Sequence, residues 1–171
     1  MSVFSRLFGT RGDDRAEVRP LWHRIVELAR APHWYARDGV ADTVAGRFDA
    51  ITLVLALVLQ RMEREPALIG PSARLTELFV DDMDGQLRQS GIGDLVVGKH
   101  MGRLMSVLGG RLDALRGALP QGEAAVADVI ARNMTLNDGA DPVLAARAAI
   151  ALWSRIDAAD DKSVMAGDLD R

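Results

Sequence analysis

The sequence predicts an all-α fold, one compact domain of about six helices. Three observations carry this. Apolar residues recur at helical spacing through most of the chain, no segment alternates apolar and polar residues as a half-buried strand does, and Pro or Gly interrupts the periodic stretches at helix-length intervals. With 171 residues, the chain can bury one substantial core without dividing into two. It reads as a flexible N-terminal segment (1–15), a helical domain (16–160) and a polar C-terminal tail (161–171).

Each element has its own signal. Leu21, Trp22, Ile25, Val26, Leu28 and Ala29 share one face of a helix over residues 16–30. Pro20 falls in its first turns, which allows a start at Arg19 or Pro20, and Pro32 ends it. His33, Trp34 and Tyr35 then form an aromatic connector before Gly39. Thr43 caps the next helix, which runs to the residue before Pro66. Phe48, Ile51, Leu55, Val58 and Met62 form its stripe, and Leu53, Val54, Leu57 and Leu59 widen the stripe until the helix is apolar nearly all round. Such a helix belongs at the centre of a domain. Its apolar run, residues 50–59, is well short of the roughly 20 residues a membrane span requires.

Pro71 opens a helix over residues 72–89 that turns Leu75, Leu78, Phe79, Met83 and Leu87 inward. Gly91 and Gly93 break it, and Asp94 starts the next, where a carboxylate suits the helix dipole. That helix reaches residue 119, Pro120 and Gly122 interrupt again, and a shorter helix covers residues 123–136. Asp141 followed by Pro142 is an N-cap acid with proline at the first helical position, and the last helix runs to residue 158. Residues 160–171 read as a disordered polar tail.

Composition narrows the function classes. The net charge of −3 provides no basic field to attract nucleic acid. The absence of cysteine excludes disulfides, thiolate nucleophiles and cysteine metal sites. Positive charge is carried almost wholly by arginine, which together with abundant Ala, Gly and Asp suggests a bacterial protein. Val3, Phe4, Leu7 and Phe8 beside Arg6 and Arg11 lack the apolar core of a signal peptide, but form a face compatible with weak contact at a membrane surface. His23, His33 and His100 have no metal-ligand spacing, no Ser–His–acid set stands out, and neither a cofactor nor a metal is expected.

The segment from Asp81 to Lys99 holds the densest chemistry. Asp81, Asp82 and Asp84 beside Arg88 raise magnesium-dependent prenyl or quinone-pathway chemistry, because hard cations take oxygen ligands. Positions 85 and 86, one turn on, hold Gly and Gln, and no second acid-rich helix completes a cage. Asp84 and Arg88 instead make an i,i+4 pair on a solvated face. Upstream, Gly46 costs the core helix about 1 kcal/mol relative to alanine, which points to close approach by another helix. Arg47 and Asp49 border that apolar helix and need partners if buried. Asp84, Asp94, Arg88 and Lys99 are the candidates for a buried ion network, and the other reading is a polar patch beside an apolar groove that grips a partner. Gly98 and Gly102 are spaced for close helix packing, inside the domain or against a client helix.

Together these segments resemble the ubiquinol–cytochrome c chaperone family over residues 21–115. Ile25, Val26, Ala29 and Arg30, with Pro32 to Tyr35, look like its first helix and its aromatic connector, Trp34 and Tyr35 included. Asp42, Thr43, Gly46, Arg47, Phe48 and Asp49 look like its most distinctive block. Asp82, Asp84, Arg88, Asp94 and Lys99, with Leu78, Phe79, Met83, Leu87, Gly91, Gly93 and Val97, look like a second, and Gly110 and Arg111 like a third. Aromatic residues usually flank that last pair; here Val107 and Leu108 precede it and Leu112 follows, which weakens a binding role there but leaves the fold untouched.

The resemblance implies a non-catalytic assembly factor for the cytochrome bc1 complex of the respiratory chain. Its expected partner is cytochrome b or a bc1 assembly intermediate, and its expected place is the cytoplasm, peripherally at the inner membrane. Asp42, Arg47, Phe48, Asp49, Asp82, Asp84, Arg88, Asp94 and Lys99 are expected either to bind the client or to form a structural polar network. Met101, Met105 and Met134 are candidates for an adaptable apolar surface. An enzyme using Asp81 to Asp84 and a helical interaction module unrelated to respiration are the alternatives, and the sequence leaves the oligomeric state open.

Overall fold

A computed structural model describes residues 15–89 and 94–169. Six helices of eleven residues or more account for most of it: α1 (Arg19–Ala29), α3 (Val44–Met62), α4 (Ile69–Gln89), α5 (Asp94–Ala118), α6 (Glu123–Asn133) and α7 (Pro142–Ala158). Two short ones, α2 (His33–Ala36) and α8 (Asp161–Ala166), complete the all-α domain. No strand forms among the described residues; Val40 and Leu136 make an isolated antiparallel bridge.

α3 is the axis of the fold. Every residue from Asp49 to Met62 is buried, and α1, α4, α5 and α7 all pack on it. The all-round apolar pattern has this consequence, since water has no face of the helix to occupy. Buried polar residues on α3 are bonded at defined points: Thr52 donates to the Phe48 and Asp49 carbonyls, and Arg61 donates to the Ala159 carbonyl and the Asp161 carboxylate. Gln60 Oε1 is buried without a hydrogen bond.

The aromatic connector has a more specific role than linking two helices. Residues 33–36 form α2, Trp34 Nε1 donates to the Leu28 carbonyl at 2.9 Å and the Tyr35 hydroxyl donates to the Ala29 carbonyl at 2.7 Å. Both acceptors are carbonyls of the last turn of α1, where intrahelical donors run out; the Leu28 carbonyl also accepts from the Ala31 N–H. The two rings therefore close α1 and fix the path of the chain into α3.

Gly46 is required, but for a different reason from the one expected. A Cβ there would meet the Ala41 carbonyl oxygen at 1.9 Å, so the close approach comes from the loop that folds back before α3 and not from another helix. Thr43 Oγ1 accepts from Gly46 N in the same turn. Gly102 also departs from expectation: a Cβ there meets nothing within 4 Å, so its spacing from Gly98 does not serve helix packing at that position.

The C-terminal segment is a correction. Residues 160–171 were expected as a disordered polar tail, yet Asp160 caps α8 by accepting from Ser163 N at 2.7 Å, and Val164 and Leu169 are fully buried. Gly167 ends α8 at φ 75° against Pro20 and Arg24 of α1. Two fully buried apolar side chains, with α8 packed on α1 and Arg61 holding the entry, outweigh the polar composition that suggests disorder. Other boundaries shift modestly: a 3₁₀ turn (Pro66–Leu68) leads into α4 before Pro71, and α6 ends at Asn133. The expectations for residues 1–14 and for the Gly91–Gly93 break lie outside the described residues.

Candidate functional site

The N-terminal turns of α3 separate two clefts. Thr43 starts the helix and Gly46 lets the preceding loop lie against it, so residues 47–49 point in different directions from one short stretch.

The first cleft, of about 530 Å³, lies between the start of α3, one face of α5 and the end of α6. Phe48 and Asp49 line it, with His100, Arg103, Leu104, Val107 and Arg111 from α5. Asp49 is 9% exposed and Arg111 3%. Arg111 Nη2 donates to Asp49 Oδ1 at 3.0 Å and also to the Asn133 carbonyl, and Nη1 donates to the Asp49 carbonyl at 2.9 Å and to Thr52 Oγ1. Asp49 Oδ2 accepts from the Thr135 backbone N–H and from its hydroxyl, each at 2.8 Å. One buried ion pair thus joins α3, α5 and the segment after α6. A buried charge pair is worth most when the remaining hydrogen-bonding capacity is satisfied. Here the carboxylate is satisfied, whereas Arg111 Nε is buried with no hydrogen-bond partner.

The second cleft, of about 450 Å³, is lined by Arg30, Pro32, Tyr35, Ala36, Asp42 and Arg47. Arg47 Nε donates to Asp42 at 2.7 Å, and its guanidinium lies 5.9 Å from the centre of the Tyr35 ring. Both charged side chains are more than half exposed, at 59% and 57%. The hydrogen bond from Arg47 holds the Asp42 carboxyl below its usual range, and burial pushes the Tyr35 hydroxyl up. Next to this cleft, Asp38 is buried under His33 and Arg37. Burial alone would raise its pKa; hydrogen bonds from Arg37 and then His33 overcome that and hold it below the usual range.

The expected network around Arg47 and Asp49 is therefore rewired. Neither meets Asp84, Arg88 or Lys99: Arg47 pairs with Asp42, and Asp49 pairs with Arg111. Asp84 pairs with Arg88 along α4 at 2.7 Å, as the i,i+4 spacing implied. Asp81 pairs with Arg15, and Asp82 is exposed, with Gln86 Nε2 at 3.5 Å. Among the described residues, no group of three or more His, Asp or Glu side chains is placed to hold a metal ion. Lys99 is exposed near the start of α5, and the Asp94 side chain lies outside what is described. Trp34 is core, Tyr35 is at the second cleft, Met134 lines the first, Met101 is half-buried and Met105 is exposed. Sequence reading does not single out Asn133, Thr135, Arg103 or Arg132, and weighs His100 only as a metal ligand. The spacing of 100, 103, 104, 107 and 111 on one helical face was available, but nothing local tied that face to Asp49.

This is an all-helical domain whose charged and aromatic residues flank two open clefts, and among its described residues no helix is long and apolar enough to cross a membrane. Comparison with known proteins gives the class a name. The profile of the ubiquinol-cytochrome C chaperone family matches residues 37–169, and the chain belongs to that family. It is similar to the crystal structure of the Cbp3 homolog from Brucella abortus, with 30% sequence identity, a TM-score of 0.79, and coverage of 96% of this chain and 94% of that one. No curated protein matches it significantly.

Proposed function

We propose that the protein is a non-catalytic chaperone that binds cytochrome b during assembly of the cytochrome bc1 complex. Family membership across most of the chain carries this reading. The two clefts at the start of α3 support it, because an assembly factor for an apolar client needs apolar surface beside fixed polar groups. Within this proposal, Arg47, Asp42, Tyr35 and Phe48 face the client, while Asp49 keeps the clefts in shape through Arg111. The Asp82, Asp84 and Arg88 face of α4, with Asp94 and Lys99, is a second contact region. The protein works in the cytoplasm, at the inner-membrane surface where the client resides, without a cofactor.

The test is affinity purification of the tagged protein from gently solubilised membranes of its native host, with mass spectrometry of the eluate. Cytochrome b is expected to be enriched, and Arg47→Ala is expected to lower its yield while the variant stays folded. An eluate with intact membrane complexes but no cytochrome b would overturn the assignment of the client.

A further inference from the structure

The first cleft holds more positive charge than the fold uses. Arg111 neutralises Asp49, but Arg103 of α5 and Arg132 of α6 also line the cleft and have no ion-pair partner among the described residues. His100 stands one turn before Arg103 on the same face of α5. At the inner end, Arg111 is 3% exposed and its Nε has no hydrogen-bond partner. A buried guanidinium N–H left unbonded costs free energy unless something else satisfies it. Between these cations the wall is apolar, from Phe48, Leu104, Val107 and Met134. Asn133, also on the lining, is committed through its amide N–H to the Val129 carbonyl and through its backbone carbonyl to Arg111.

We propose that this cleft receives an acidic side chain of the client polypeptide, with apolar residues on either side of it in the client sequence. Arg103 and Arg132 clamp the carboxylate, and Phe48, Leu104 and Val107 cover the flanking apolar groups. Guanidinium is the donor suited to this, because its planar fork engages both carboxylate oxygens. A lipid surface is a poorer fit. Binding to anionic membranes gains about 1 kcal/mol per basic residue near the surface and so requires many of them, whereas this recess offers two uncommitted arginines among the described residues. The proposal rests on the reading of the protein as a chaperone of a polypeptide client, but does not require that client to be cytochrome b.

The experiment uses the full-length protein and a fluorescein-labelled peptide with one glutamate between leucine and phenylalanine, its glutamine counterpart, and vesicles of phosphatidylglycerol and phosphatidylcholine in equal parts. Anisotropy titration is expected to show the glutamate peptide binding at least about tenfold more tightly than the glutamine peptide, as two charge-assisted hydrogen bonds imply. Arg103→Ala with Arg132→Ala should abolish that preference. Both side chains are exposed, so the variant should keep its melting temperature; if it does not, Arg103→Ala alone is read in its place. Equal affinity for the two peptides, binding of neither, or an unchanged preference in the variant overturns the proposal. So does vesicle binding that the arginine variant loses, which would assign the cleft to membrane phosphate. A glutamate preference alongside a purification without cytochrome b would overturn the client and leave the cleft standing.

Discussion

The two clefts beside the start of α3 are built from neighbouring residues yet use charge in opposite ways. Asp49 faces inward, where it holds α3, α5 and the segment after α6 together through Arg111. Arg47, two residues earlier, faces solvent with Asp42 and leans on Tyr35. A buried charge must be matched or the fold is penalised; an exposed pair is solvated either way and can exchange its partner at little cost. Within one short block of sequence, Asp49 is thus built into the architecture, while Arg47 is left at the surface, where the proposed recognition would need it.

Breaking the inward half should have the largest effect. Arg111→Ala or Asp49→Ala should lower the unfolding free energy by about 3–5 kcal/mol, measured by urea denaturation, because each leaves its partner's charge buried and unpaired. Replacing both, Asp49→Asn with Arg111→Met, should recover part of that loss; a double variant no more stable than either single one would show that packing, not charge, holds the junction. Gly46→Ala should follow, at the upper end of the roughly 1–3 kcal/mol range for overpacking, since the new methyl collides with the Ala41 carbonyl backbone. Leu169→Ala should cost about 2 kcal/mol in the same assay, because the side chain is fully buried; no change would mean that the C-terminal segment contributes nothing to the core.

The outward half should show the reverse pattern. Arg47→Ala is expected to leave the melting temperature unchanged and to reduce recovery of cytochrome b in the purification. Acid titration probes Asp38, on the margin of the same region. Its folded pKa lies below its unfolded value, so the stability it contributes is complete above the unfolded pKa and disappears as pH falls through the folded one. Melting temperature should therefore fall below about pH 4, and Asp38→Asn should flatten that limb.

How much could be read in advance follows from the range of each interaction. The α3 core, its Thr43 cap and the Asp141–Pro142 start were legible because helix periodicity and capping act within a few residues. The ion pair between Asp84 and Arg88 was legible for the same reason. The partner of Asp49 was not: Arg111 is 62 residues away and belongs, in the sequence, only to a short signature without its usual aromatic neighbours. Residues 160–171 are misread for a similar reason, because the surface that α8 packs on, α1 and the turn before it, lies far away in the chain.

The sequence by itself determined that the protein is all-helical, which helix is central, where most helices start, and which family it resembles, since these depend on local periodicity, capping and ordered motifs. Only the tertiary structure decided which charges are buried together, that Gly46 serves a loop and not a neighbouring helix, and that Arg103, Arg132 and Arg111 share one cleft. Those depend on how separate helices meet, and the energy of a charge is set by the atoms around it in space, not by those beside it in the chain.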